Sequence, residues 1–196
     1  MRLYRARALR GAAHDFDALD ASATVTGPVG WRFNDPVTSV LYTAEREALA
    51  VLEVAVRPGW ETVREVLIAP IDIPDDSVVD LADLGIELPA DWNARPAAPA
   101  VRSIARRFLA SAARHTPRPL GLRVPSVLSS SDYNVLLDPA RGRSYRAGPA
   151  HRLPSKRCSP RRPDPGALMV LARGCLKAID SFIHQAGIPG GKQKLA

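Results

Sequence analysis

The basic residues of this 196-residue chain are unevenly distributed, and the charge composition changes near residue 140. This change limits the part of the chain that we expect to fold as one domain. Residues 1–139 contain 15 arginines, no lysine and 18 acidic residues, which gives a net charge of −3. Residues 140–196 contain 12 basic and 2 acidic residues, a net charge of +10, and they hold both cysteines. A segment of about 140 residues can bury a core without metal or disulfides. We therefore expect one domain over residues 1–140 and a basic extension over residues 141–196.

The extension is rich in Arg, Pro, Gly and Ser up to Pro165, a composition typical of irregular or disordered chain. Asp164 and Pro165 then form a helix-start signal, and a stripe of apolar residues predicts a helix near 165–186. Because the overall charge of +7 comes from this extension, we expect no direct nucleic-acid binding by the domain. The basic tail itself is either a solvated extension or a nonspecific contact for nucleic acid.

Several classes of function lack a signal in this sequence. No apolar run reaches the roughly 18–20 residues of a membrane helix, and the first ten residues, MRLYRARALR, lack the apolar core of a secretory signal. We expect a cytoplasmic protein that does not bind membranes. No Cys/His cluster has zinc spacing, so we expect no metal, and no glycine loop of the Rossmann or Walker type is present.

Hydrophobic periodicity predicts a mixed α+β fold with short strands. Strands are indicated by β-branched, aromatic or alternating residues at 2–7, 39–44, 64–73, 120–128 and 133–137. Helices are predicted at 45–57, where acidic residues occupy the first turn, and at 100–114. In the second helix one apolar face is expected to pack in the core: Val101, Ile104, Ala105, Phe108, Leu109 and Ala112.

Few side chains indicate chemistry by themselves. Arg32, in the loop GWRFNDP before a strand, has the planar fork of donors that binds phosphate, although a surface salt bridge is the simpler interpretation. Glu53 lies in the apolar run ALAVLEVAV, where a carboxylate is costly to bury unless it is paired or functional; otherwise it faces water on an amphipathic helix. Tyr42 is typical of a core aromatic residue, and Ser126 of a serine in a turn.

Two blocks of the sequence resemble one known family, the RES domain. The stretch GWRFNDPVTSVLYTAEREALAVLEV (30–54) is similar to the family's glycine-arginine-aromatic-asparagine loop, its strand ending in Tyr-Thr-Ala-Glu and its helix with a Leu-Glu-Val pattern. The stretch RVPSVLSSSDYNVLLDPA (123–140) resembles the family's Arg-Val-Pro-Ser and Tyr-Asn-x-Leu-Leu segments. Both blocks occur in the family's order and spacing. The resemblance covers residues 1–140.

The resemblance implies a fold similar to that of the ADP-ribosyltransferase toxins: an α+β architecture with two small mixed β-sheets and flanking helices around an NAD cleft. It implies a toxin that degrades NAD⁺ by cleaving the nicotinamide–ribose bond, through hydrolysis or phosphorolysis. The implied partner is a cognate Xre-like helix-turn-helix antitoxin, and homodimerisation is a further expectation. Two alternatives stay open: a protein mono-ADP-ribosyltransferase toxin, and a catalytically degenerate RES domain that acts as a binding module.

The family is named for an Arg, a Glu and a Ser, which correspond here to Arg32, Glu53 and Ser126. Tyr42 and Asn134 match further family positions. The resemblance implies that Glu53 stabilises positive charge on the ribose and that Arg32 grips the pyrophosphate. It implies that Tyr42 stacks on the nicotinamide ring. Ser126 and Asn134 would hydrogen-bond the nicotinamide ribose or support Glu53.

The sequence departs from the family pattern in two places. Phe33 stands where Trp is commoner, which keeps an aromatic ring. After Pro139 the family continues with a strand and a closing segment of the type Phe-x-Phe-Asp-x-Arg-Leu, which we do not find in ARGRSYRAGPAHRLPSKRCSPRRP. We therefore expect an altered gene end, in which the last strands of the domain are missing or replaced.

Overall fold

A computed structural model describes residues 1–9, 17–21, 31–56, 63 and 65–154, all within one compact unit, Met1–Ser155. The helix predicted near 165–186 lies outside the described residues. None of the helices in the described ranges has the length and apolarity needed to cross a bilayer.

The described elements confirm the predicted mixed α+β class, since a mostly antiparallel sheet is combined with a few short helices. There are eight strands in the described residues: β1 (Arg2–Leu9), β2 (Leu41–Ala44), β3 (Glu65–Asp72), β4 (Val78–Val79), β5 (Gly121–Pro125), β6 (Tyr133–Leu137), β7 (Arg146–Ala147) and β8 (His151–Pro154). They form one mixed sheet in the order β4-β5-β6-β2-β1-β3-β7, and β8 also pairs with β3. Only β4 and β5 among these pairs run parallel.

The prediction of two small sheets is wrong for this part of the chain, because β2 joins both halves. It pairs with β6 along all four of its residues. On its other side it meets β1 at the single register pair Tyr4↔Ala44. The sheet therefore has a narrow joint at this pair, with β4, β5 and β6 on one side and β3, β7 and β8 on the other.

The two faces of the sheet bury different clusters of side chains. One face packs Leu3, Leu41, Ile71, Val135 and Leu137 together with Tyr145. The opposite face packs against three helices: α1 (Glu47–Ala55), α2 (Pro99–Arg102) and α3 (Ile104–Ala112). All three helices are therefore associated with the face that carries Tyr42, Ala44 and Asn134.

The helix predicted over 100–114 is interrupted between α2 and α3. Its predicted apolar face is confirmed, since Leu109 is partly buried and the other five residues are fully buried: Val101, Ile104, Ala105, Phe108 and Ala112. At the interruption the backbone N–H of Ala105 donates to the carbonyl of Phe33 at 2.8 Å. This bond replaces a bond within the helix, so the interruption attaches the loop that contains Arg32 to the start of α3.

The chain beyond residue 140 differs from the prediction, which placed the domain boundary there and expected an irregular extension. β7 pairs with Ile71 and Asp72, and β8 pairs with residues 65–68, so both use the edge of β3 that β1 does not occupy. An unpaired edge of this length would leave its backbone groups unsatisfied. β7 and β8 therefore belong to the sheet, although the composition of this segment is typical of irregular chain, and the altered gene end stays a prediction.

Tyr145 fixes this segment to the rest of the domain. Its side chain is 6% exposed, and its hydroxyl lies 2.6 Å from the carbonyl of Asp138 and 3.3 Å from that of Leu120, to which it donates. Burial raises the pKa of the Tyr145 phenol well above its ordinary value, so the hydroxyl keeps its proton.

We expect Tyr145→Ala to lower the free energy of unfolding by about 3–5 kcal/mol, the cost of deleting a buried aromatic side chain. Chemical denaturation would measure it. Arg146→Ala, at the exposed neighbouring position, is the matched control and should change stability by less than about 0.5 kcal/mol. Equal small effects of both changes would show that residues 139–154 are not integral to the domain.

Candidate active site

Glu53 lies on the face of α1 that is directed toward the sheet. It follows Leu49 by four residues and Ala50 by three, and both of these are buried against β1 and β2. The alternative that Glu53 simply faces water is therefore wrong. Its Oε1 accepts hydrogen bonds from the Ser126 hydroxyl at 2.8 Å and from the Asn134 side-chain amide at 2.7 Å.

The sheet register explains why these three side chains meet. Asn134 pairs with Ala44, the last residue of β2, and with Val124 on β5. Ser126 follows β5 directly, and α1 begins three residues after β2 ends. The end of β2 thus places Glu53 over the start of β6 and the end of β5.

The two donors are themselves constrained. Ser126 and Asn134 are 6% and 8% exposed, and the Ser126 hydroxyl also accepts from the backbone N–H of Leu128 at 3.1 Å. Buried donors of this kind need acceptors, and a carboxylate is the strongest available. The carboxylate of Glu53 is consequently held in one orientation.

Arg32 anchors a second loop beside the site. Its Nη1 donates to the carbonyls of Trp92 at 2.9 Å and Ala94 at 3.0 Å. The ring of Phe33, the next residue, stacks on Trp92 with centroids 6.3 Å apart and planes 18° from parallel. Burial lowers the pKa of Arg32 and the charge of Arg95 lowers it further, whereas the Glu53 carboxylate acts in the opposite direction. Arg32 and Glu53 are therefore electrostatically coupled.

Tyr42 is hydrogen-bonded into the same loop. Its hydroxyl donates to Oδ1 of Asn34 at 3.0 Å and accepts from the backbone N–H of Phe33 at 3.1 Å. Its ring lies 6.5 Å from that of Trp31, at an interplanar angle of 52°. The phenol therefore ties β2 to the Arg32 loop, which is a positioning role in addition to the stacking role predicted for the ring.

The structure thus brings the five predicted residues into two linked groups. Glu53, Ser126 and Asn134 are in direct contact, and Tyr42 is joined to the loop of Arg32 through its hydroxyl. The charge of the Glu53 carboxylate acts on the Arg32 guanidinium, which connects the two groups. The arrangement offers one fixed anion and one fixed cation beside aromatic rings.

Sequence reasoning missed three residues of this region. Asn34 is fully buried and donates to the carbonyls of Asp35 and Thr38, so it shapes the loop that it shares with Arg32. The Asn-Asp-Pro run is a turn signal that could have identified it. Trp92 and Arg95 lie in a Pro/Ala-rich connection, and no local pattern links them to Arg32. Across the described residues, no group of three or more His, Cys, Asp or Glu side chains is placed to hold a metal ion.

We expect Tyr42→Phe to lower the free energy of unfolding by about 1–3 kcal/mol, because it removes the acceptor of the Phe33 backbone amide and the hydroxyl that donates to Oδ1 of Asn34. Thermal or chemical denaturation would measure the change. Tyr4→Phe is the matched control, since the Tyr4 hydroxyl makes no hydrogen bond within the described part of the chain, and it should be nearly neutral. If both variants unfolded like the wild type, the hydroxyl would not hold the loop.

Comparisons with known proteins identify the family of this chain. The family model described as "RES domain" matches residues 2–156. A protein named "Prs ADP-ribosylating toxin", from Sphingobium sp. (strain YBL2), is 30% identical over 132 residues, which cover 65% of this chain and 78% of the relative. "Toxin Res" of Yersinia enterocolitica is 30% identical over 118 residues, or 60% of this chain and 72% of the relative. The chain belongs to the RES domain family, whose match extends through β7 and β8.

Proposed function

We propose that this chain is a toxin enzyme that cleaves the nicotinamide–ribose bond of NAD⁺ and transfers the ADP-ribosyl group to water or phosphate. The observation that carries the proposal is the Glu53 carboxylate, held by two buried donors and electrostatically coupled to the Arg32 cation. Membership of the RES family and the names of its two toxin relatives support it. Under this proposal the helix-bearing face of the sheet forms an NAD cleft of the ADP-ribosyltransferase type.

The reaction depends on a fixed negative charge more than on a general acid. When the bond between the ribose C1 and the nicotinamide nitrogen breaks, its electron pair goes to the nicotinamide, which leaves as a neutral molecule. Positive charge develops on the ribose as an oxocarbenium-like cation, and a preoriented carboxylate stabilises it. Attack by water forms ADP-ribose and releases a proton, whereas attack by phosphate forms the phosphate ester of ADP-ribose. Glu53 supplies the carboxylate and can orient the attacking group.

The other predicted residues take supporting roles in the proposal. Arg32 binds the pyrophosphate through the guanidinium edge that does not hold the loop. The ring of Tyr42 stacks on the nicotinamide while its hydroxyl fixes the loop. Ser126 and Asn134 hold Glu53, the second of the two functions expected for them.

A second candidate function, protein mono-ADP-ribosylation, is favoured by one specific observation: the Sphingobium relative is named an ADP-ribosylating toxin. Both reactions break the same bond and differ in the acceptor. Incubation with NAD⁺ labelled in its adenylate half separates them. Free labelled ADP-ribose or its phosphate ester indicates degradation, and label retained on a protein indicates transfer.

The proposal also includes a biological setting. As a toxin acting on NAD⁺ in the cytoplasm, the protein would be neutralised by a cognate antitoxin of the Xre-like helix-turn-helix type. The support is that both curated relatives are named toxins. Binding of such an antitoxin to the purified protein should abolish NAD⁺ turnover.

We expect Glu53→Gln to lower the rate of nicotinamide release at least about 10²-fold, because it removes the charge but keeps a similar shape and an oxygen acceptor. Chromatography of nicotinamide would measure the rate. Glu47→Gln is the matched control: it removes a carboxylate from the same helix, but Glu47 is 41% exposed and contacts His151. Equal turnover by wild type and Glu53→Gln would contradict the proposal, and absence of turnover in the wild type would favour a degenerate binding module.

We expect Ser126→Ala to lower kcat/KM by about 10- to 100-fold, the effect of losing one hydrogen bond to a charged group. The carboxylate would keep its bond from Asn134, so the loss should be smaller than that of Glu53→Gln. Ser130→Ala, at an exposed position in the same loop, controls for the change of residue type. A loss as large as that of Glu53→Gln would show that Ser126 acts directly on the reacting atoms.

A further inference from the structure

Arg95 is an exposed arginine that neither the sequence pattern nor the family resemblance singled out. It directly follows Ala94, whose carbonyl accepts a hydrogen bond from Arg32 Nη1 at 3.0 Å. The peptide group that leads into Arg95 is therefore in contact with the guanidinium of Arg32. This hydrogen bond places Arg95 beside the candidate site.

The loop that carries Arg95 is well held. The same Nη1 of Arg32 binds the carbonyl of Trp92, and the Trp92 ring stacks on Phe33. Within the loop, the N–H of Trp92 donates to Pro89 at 3.0 Å and the N–H of Ala94 donates to Asp91 at 2.9 Å. These turns limit the motion of the backbone, so a side chain at position 95 extends from a preformed platform.

The two arginines beside the candidate site carry charges of the same sign. Arg32 and Arg95 are both cations, and Arg95 lowers the pKa of Arg32, so each guanidinium acts on the other. Within the described part of the chain, neither arginine has a carboxylate within ion-pair distance, whereas Arg2, Arg106 and Arg123 all do. Two adjacent cations repel each other, and an anion bound between them would reduce that repulsion.

The hydrogen-bond donors point to the same conclusion. Both hydrogen bonds of Arg32 in the described part of the chain start at Nη1, which leaves its Nε and Nη2 without a protein acceptor there. That edge is the fork with which an arginine binds phosphate oxygens. Arg95 adds five further donors next to it.

We propose that Arg95 and Arg32 together form a diphosphate site, in which each guanidinium binds one phosphate of the dinucleotide substrate. This inference rests on the proposed function and adds a binding residue to it. The diphosphate does not change in the reaction, so Arg95 contributes to substrate binding more than to the chemical step. It also predicts discrimination in favour of dinucleotides over nicotinamide mononucleotide, which lacks the second phosphate.

The test compares Arg95→Gln with Arg107→Gln, a matched control on the exposed side of α3. Two measurements are made on the full chain: the kinetics of NAD⁺ consumption, and calorimetric titration with inorganic pyrophosphate. We expect Arg95→Gln to lower kcat/KM about tenfold, mainly through a higher KM, and to weaken pyrophosphate binding similarly. Arg95→Lys should recover part of both losses because it restores the charge without the fork. Arg107→Gln should behave like the wild type.

The outcomes separate the inference from the proposed function. Weakened pyrophosphate binding by Arg95→Gln, in a protein that does not consume NAD⁺, would support the diphosphate site and overturn the proposed function. NAD⁺ consumption that Arg95→Gln and Arg107→Gln leave equally unchanged would overturn the site and leave the function standing. A fall in kcat alone for Arg95→Gln, with unchanged KM and pyrophosphate binding, would also overturn the diphosphate site. No pyrophosphate binding and no turnover by the wild type would overturn both.

Discussion

The pairing of β2 with β6 is the constraint on which the candidate site depends. Four residues of β2 set this register, and it places Tyr42 opposite Leu136 and Ala44 opposite Asn134 on one face of the sheet. A shift of one residue would turn these side chains to the opposite face. Because α1 begins shortly after β2, the same register also delivers Glu53 to Asn134. The candidate site thus depends on the pairing of β2 with β6, and the position of α1 depends on the same pairing.

A second connection joins the site to the helical layer. The backbone bond from Ala105 to Phe33 interrupts the helix and holds the loop of Arg32. Phe33 also packs with Trp92, so the loop is attached at its backbone and at its ring. Arg32 and Glu53 are therefore supported by separate helices, α3 and α1, which both pack on the same face of the sheet. Their relative placement is a property of the whole domain.

Local sequence patterns predicted the elements in which the spacing of apolar residues determines which side chains are buried. The strand at 133–137 was predicted with its observed bounds, and the buried face around Phe108 follows from helical spacing. The chain after residue 140 could not be predicted this way, because β7 and β8 are stabilised by the vacant edge of β3 and not by their own composition. Likewise, Arg95 is positioned through the backbone carbonyl of Ala94. Every residue has such a carbonyl, so a sequence pattern cannot identify this one.

Under the proposed function, Arg32 has two tasks. Its Nη1 binds two backbone carbonyls, and the rest of its guanidinium binds phosphate. One edge of its guanidinium links two loops, and under the proposed function the other edge binds the phosphates. A lysine has one charged point and no second edge, so it could link the loops or bind the phosphates but not both. Arginine is thus demanded here by planarity as well as by charge, and a charge-conserving replacement would fail on shape.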